Sequence, residues 1–142
     1  MTVATILKQK GHEVITAAVT DTVHAAAKRL AAHRIGALIV VDDGGRIAGI
    51  VSERDIVRAL ADHGDAVLSA SLSAIMVRDV ITCTPEDTVA QLMEAMTEHR
   101  VRHLPVVTEN GLSGIVSIGD VVKMRIAEAE LEAAEMKRYI AS

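Results

Sequence analysis

The sequence predicts a mixed α/β (α+β) chain that writes one β-α-β-β-α unit twice. Three observations carry this reading. The phrase "GIVSERDIV" at 49–57 returns as "GIVSIGDVV" at 114–122. Upstream, and in the same order, Val14-Ile15-Thr16 recurs as Val80-Ile81-Thr82, Asp21-Thr22-Val23 as Asp87-Thr88-Val89, His33-Arg34 as His99-Arg100 and Val40-Val41 as Val106-Val107. In both copies short apolar runs alternate with helically spaced ones and with Gly-containing turns.

The elements follow in order. Residues 1–13, opening "MTVATILKQK", read as an N-terminal linker helix. The first repeat, 14–64, begins with a strand at Val14–Thr16. Asp21-Thr22 then starts a helix over 21–33 that carries Val23, Ala26, Ala27 and Leu30 at helical spacing. His33-Arg34 near its end suits the negative pole of the helix dipole. A buried strand "ALIVV" (37–41), a turn "DDGGR", a strand "IAGIVS" (47–52) and a helix over 53–63 complete the copy. A linker, 65–79, holds a short helix around 71–76. The second repeat, 80–126, predicts a strand at Val80–Thr82, a helix over 87–99 carrying Val89, Leu92, Met93 and Met96 at helical spacing, strands "HLPVV" and "SGIVS" around the "TENGL" turn, and a helix from 118. Pro105 breaks the pattern of its strand, which implies an edge or an irregular, ligand-facing position. Residues 127–142 extend the last helix. Its Val122, Ile126, Ala129, Ala133, Met136 and Ile140 alternate spacings of four and three, a coiled-coil-like stripe that packs on its own domain, on a dimer partner or on an effector protein.

Composition narrows the function classes. Hydrophobic residues are 50% of 142, enough for a sizeable core, yet aromatics are 1%, with Tyr139 the lone member. Val, Ile, Leu, Ala and Met must therefore fill the interior, and stacking platforms for single-stranded nucleic acid are missing. A net charge of −4 without a Lys/Arg block argues against nucleic-acid or acidic-membrane partners. One cysteine, Cys83, allows no intrachain disulfide and fits a reducing, cytoplasmic setting. The N-terminal apolar stretch is too short for a signal peptide, and no stretch reaches the length of a membrane span.

The duplicated unit, with "IGALIVVDDGGRIAGIVSERDIV" in copy one and "VRHLPVVTENGLSGIVSIGDVV" in copy two, resembles a tandem cystathionine-β-synthase (CBS) domain pair, or Bateman module, of the stand-alone bacterial type. The resemblance covers about residues 5–125. It implies two repeats packed about a pseudo-twofold axis, two clefts that bind adenosine-containing ligands, and frequent dimerisation through helices into a disc.

Ser52 with Asp55, and Ser117 with Asp120, have the spacing of a helix capping box, which alone would explain both pairs. The functional reading coexists with it. A helix N-terminus offers unpaired N–H groups and a positive pole, a seat for phosphate, and an ionised Asp there can accept both protons of a ribose cis-diol. The resemblance implies that Asp55 and Asp120 accept from the ribose diol and that the Ser52 and Ser117 hydroxyls donate to ribose or phosphate. Arg54 supplies donors for phosphate oxygens in copy one, so that its side favours the more phosphorylated end of a ligand, or is a solvated helix residue, whereas its counterpart Gly119 supplies none. By the same resemblance the clefts take in Ile35, Gly36, Ala37 and Leu38, and Arg102, His103, Leu104 and Pro105. Met76, Val77 and Thr82 join the Asp55 cleft, and Leu7, Lys8 and Thr16 the Asp120 cleft. Lys8 neutralises phosphate or is a plain surface lysine.

The His99-x-x-x-His103 spacing is metal-like, but residues from Val101 onward should be strand, so no metal is expected. Cys83 reads as a buried thiol, and no nucleophile elbow, P-loop or paired-carboxylate signature occurs. The expected function is a non-enzymatic regulatory module that takes an adenine nucleotide (AMP, ADP, ATP or NAD) between the repeats as a sensor of energy or redox state. The expected partners are the nucleotide, a second copy in a homodimer and an unknown effector protein, with no nucleic acid and no membrane. The rival is an interaction module with vestigial clefts that recruits a target through its C-terminal helix.

Overall fold

The computed structural model describes residues 1–141. In chain order the elements are α1 (Val3–Lys10), β1 (Thr16–Ala18), α2 (Val23–His33), β2 (Ala37–Val41), β3 (Ile47–Ser52), α3 (Glu53–His63), two 3₁₀ turns (Asp65–Ser69 and Leu72–Ala74), α4 (Val89–His99), β4 (His103–Thr108), β5 (Gly111–Ser117) and α5 (Ile118–Ala141). This is the mixed α/β duplication expected. The chain forms two compact units: residues 13–81 with the hairpin tip 110–112, and residues 1–12 and 82–109 with the chain from Ser113 onward. No helix among the described residues is long and apolar enough to cross a membrane.

In the unit holding the first copy, β1 runs parallel to β2, and β2 antiparallel to β3. The Asp-Gly turn joining β2 to β3 is closed by Asp42, whose Oδ1 accepts from the Gly44 and Arg46 amides at 2.9 and 3.0 Å. A bulge at Val40/Val41 adjusts the register beside this turn. Thr22 caps α2, its hydroxyl accepting the Ala25 amide at 3.1 Å, so the chain turns helical two residues after Asp21. Val23, Ala26 and Leu30 then bury one face against Leu38, Val40 and Val51 of the sheet. Leu72 and Met76 from the linker close the same core. The linker itself is held by Ser71, whose hydroxyl donates to the Val19 carbonyl at 2.9 Å, and by Val23 N to Ala70 O. It turns as 3₁₀ pieces, not as the expected helix over 71–76.

The other unit repeats the plan with α1 in the place of that linker. Val3 N donates to Asp87 O, Val89 N to Met1 O, and Thr2 bridges Thr88 just as Ser71 bridges Thr22. The segment ahead of each copy thus packs on the opposite copy. Two glycines receive these segments. A Cβ on Gly49 would sit 2.8 Å from Met76 Sδ and 2.9 Å from the Val77 carbonyl, and one on Gly114 would sit 2.7 Å from Leu7 Cδ2. The glycine of the repeated G-I-V-S phrase is there because a neighbouring segment lies directly on the strand.

One expected element is missing. Val80–Thr82 is no strand, and the sheet of this unit has β4 and β5 alone, with a single parallel bridge from Cys83 to Val106. Cys83 N donates to Pro105 O and accepts, through its carbonyl, from Val107 N. Pro105 therefore turns its missing N–H toward this edge, where Ile39 in the first copy stands opposite Thr16. Removing that donor cuts the ladder to one bridge. Pro105 is an edge residue, as its sequence implied. In the first copy the strand begins at Thr16, two residues later than Val14.

Candidate functional site

Each unit ends its hairpin in a serine that caps the next helix. Ser52 ends β3 with extended backbone angles, and its hydroxyl accepts the Asp55 amide at 3.3 Å. Asp55 Oδ2 in turn accepts from Ser52 N at 2.8 Å and Ser52 Oγ at 2.9 Å. Ser117 and Asp120 repeat this at the start of α5, with 3.2, 2.9 and 3.0 Å for the same three bonds. The capping box therefore exists in both copies. It uses only one carboxylate oxygen: Oδ1 of Asp55 and Oδ1 of Asp120 have no hydrogen-bond partner among the described residues. Both side chains are half-buried, so an open acceptor with a fixed direction is presented at each helix tip.

The strand after the first helix of each copy abuts the tip. Glu53 N donates to Gly36 O at 3.0 Å and Ile118 N to Arg102 O at 2.8 Å, so Gly36 and Arg102 occupy equivalent places. Ala37 pairs with Ser52 across the sheet, and Ala37 and Leu38 are buried, as are Leu104 and Pro105. Ile35 and His103 are half-buried. Met76 lies over Gly49, and Val77 bridges Ile50, which brings both into the Asp55 unit. Leu7 lies over Gly114 in the Asp120 unit. Thr16 opens β1 in the unit of Asp55, and Thr82, exposed, precedes Cys83 in the unit of Asp120. Each threonine thus belongs to the unit opposite the carboxylate the resemblance matched it with. Arg54 is exposed on the first turn of α3.

The residue that sequence reading missed is Lys10. Lys8 is exposed, and it is Lys10 Nζ that meets Asp120 Oδ2 at 2.8 Å while also donating to Ile115 O at 2.9 Å. Lys10 stands three residues after Leu7, on the same face of α1. Since Leu7 sits on Gly114, the next residue on that face reaches the tip of α5. That spacing was the available signal. Burial pushes the Asp120 carboxyl up, but the Lys10 ammonium and the Ser117 amide and hydroxyl outweigh it and hold the group below its ordinary value of 3.8. The segment opposite offers no such cation, because position 79, equivalent to Lys10 when Ser71 is matched to Thr2, is an aspartate. Beside Lys10 a hollow of about 70 Å³ is lined by Ile6, Gln9, Asp120, Lys123 and Met124.

Among the described residues no group of His, Cys, Asp and Glu is arranged to hold a metal. Cys83 is buried, and burial, then the nearby Asp87 charge, push its thiol up to about 12.

The sequence pattern of the CBS domain matches residues 7–62 and again residues 72–126. Among solved structures, the chain is similar to the CBS-domain containing protein ATU1752 from Agrobacterium tumefaciens: 45% identical, TM-score 0.85, covering 87% of this chain and 92% of that one. It is similar to the CBS domain pair of protein MJ0100, solved in complex with 5′-methylthioadenosine and S-adenosyl-L-methionine, at 29% identity and TM-score 0.80 over 90% and 98%. It is similar to the CBS domain protein PAE2072 from Pyrobaculum aerophilum, complexed with AMP, at 31% identity and TM-score 0.75 over 84% and 89%.

Proposed function

Because the chain belongs to the CBS domain family and carries two copies of the domain, we propose that it is a regulatory module, without catalytic activity of its own, that binds adenosine-containing ligands at its two Ser-x-x-Asp helix tips. The observation that carries this is the pair of half-buried carboxylates, each with Oδ2 locked by its own serine and Oδ1 open. An ionised carboxylate so held accepts the two hydroxyl protons of a ribose diol without losing its cap. The adenine face is assigned to Ile35, Gly36, Ala37 and Leu38 in one copy and to Arg102, His103, Leu104 and Pro105 in the other. Arg54 and Lys10 are the phosphate-facing cations of the two tips.

Support comes from similar chains that hold AMP, or 5′-methylthioadenosine and S-adenosyl-L-methionine. All share adenosine, the half that this pair of tips would read. AMP, ADP, ATP and NAD are the ligands proposed here, as a report on energy or redox state. Ligand would act by favouring one arrangement of the module over another. A reducing compartment such as the cytoplasm accords with the buried, inert Cys83.

Titration calorimetry with AMP, ATP, NAD and S-adenosylmethionine tests the reading. At least one should bind, and the Asp55→Ala/Asp120→Ala variant should lose it by roughly tenfold to a hundredfold. Heat signals absent for every ligand, or unchanged in the double variant, would defeat it.

A further inference from the structure

The chain contains a single asparagine, Asn110, and the residue after it is a glycine. The pair lies at the tip of the second hairpin. Strand β4 ends at Thr108 and β5 begins at Gly111, so Glu109 and Asn110 alone join them. Thr108, Glu109, Asn110 and Gly111 are all exposed. Gly111 has a φ of 99°, in the left-handed region, and a Cβ built on it would meet nothing within 4 Å. Solvent therefore reaches the peptide nitrogen that follows Asn110, and no side chain of residue 111 crowds it.

That setting suits one reaction. The Gly111 nitrogen, once its proton has passed to solvent base, attacks Cγ of the Asn110 amide. A new N–C bond closes a succinimide ring, the bond from Cγ to the side-chain nitrogen breaks, and that nitrogen takes a proton and leaves as ammonia. Water then opens the ring. Opening at Cγ gives aspartate in an ordinary chain, and opening at the main-chain carbonyl gives isoaspartate, with the chain running through the former side-chain carbon. No electrons are exchanged, and water is the sole co-reactant. Asn110 and Gly111 each keep a contact within the fold, so the ring closes from brief openings of the tip.

The first hairpin carries a related pair, Asp43-Gly44, and shields it. The Gly44 amide donates to Asp42 Oδ1 at 2.9 Å, which occupies the nitrogen that would attack. Asp42 also binds Arg46 twice: its Oδ1 accepts the Arg46 amide at 3.0 Å, and its own amide donates to the Arg46 carbonyl at 2.9 Å. A carboxylate is moreover a poorer electrophile than an amide. We propose that Asn110 is a modification site at which the chain deamidates without an enzyme, to aspartate and isoaspartate, while Asp43 is spared. Either product adds one negative charge to the −4 of the unmodified chain. Isoaspartate also frees an α-carboxyl at the hairpin tip, a chemical class that isoaspartyl carboxyl methyltransferases accept.

Ageing of the purified full chain at mildly alkaline pH tests the proposal, read by isoelectric focusing, peptide mass mapping and enzymatic methylation of isoaspartate. A single more acidic species should accumulate, faster as pH rises, with the loss of ammonia and the methyl label both mapped to residue 110. Asn110→Gln should form no acidic species over the same period, because glutamine keeps the amide but closes no succinimide. In guanidinium chloride, where neither chain is folded, the wild type should react severalfold faster and Asn110→Gln still not at all, so misfolding of the variant cannot imitate the result. A wild type that keeps its amide throughout overturns the proposal. So does an acidic species that persists in Asn110→Gln, or a methyl label that maps to Asp43.

Discussion

Asp120 and Asp55 share a motif but not an electrostatic setting. Lys10 already occupies one oxygen of Asp120, so a ligand at that tip meets a cation beside the acid, and phosphate should be favoured there. Lys10→Ala is expected to weaken AMP roughly threefold to thirtyfold while leaving phosphate-free adenosine within about threefold, measured by calorimetry. The same ion pair sets a pH response. Because the folded-state value of Asp120 is lowered, the group contributes stability above its unfolded value and loses it as pH falls through the lower folded one. Urea unfolding should therefore show the wild type losing more stability than Asp120→Asn between neutral pH and about pH 3. The serines are expected to act mainly as caps: Ser52→Ala should cost about 0.5–2 kcal/mol of unfolding free energy. The two Ser-x-x-Asp pairs were legible in the sequence because their chemistry is local, set within four residues. Lys10 was not, since its role depends on where α1 returns across more than a hundred residues to meet α5.

Among the elements, the repeated glycines separate two kinds of close approach. A side chain at Gly49 meets the Val77 backbone carbonyl, which cannot rotate away, whereas one at Gly114 meets only the end of Leu7. Gly49→Ala should accordingly cost about 2–3 kcal/mol, and Gly114→Ala about 1 kcal/mol or less, in chemical denaturation. Helices α2, α3 and α4 and the hairpins were readable from spacing, caps and turns, because those signals report on a few neighbouring residues. The strand expected at Val80–Thr82 failed for a reason visible only once its neighbour was known: its ladder required an N–H that Pro105 lacks. The linker failed differently. It is fixed by Ser71 and Leu72 packing on the first copy, a tertiary demand that outweighs helical spacing.

At the level of the whole chain, duplication was plain in the letters, while the ownership of the connecting segments came only through the resemblance, which set Leu7 with Asp120 and Met76 and Val77 with Asp55. Composition gives no hint that residues 1–12 complete the second copy; in the structure Thr2 and Ser71 hold matching bridges, and Leu7 and Met76 matching glycines. The bare face of α5 belongs to this scale too, since its spacing was evident beforehand while its direction, away from its own unit, required the buried side of the helix to be known.

Synthesis proceeds from the N-terminus, and Val3 is destined for Asp87. Helix α1 must therefore wait, uncovered, while its docking surface is still being translated, whereas the first copy finds its own closing segment straight after α3. Once residues up to 81 have left the ribosome, the nascent chain should hold one nearly complete unit and an uncovered helix α1, open to protease or chaperone.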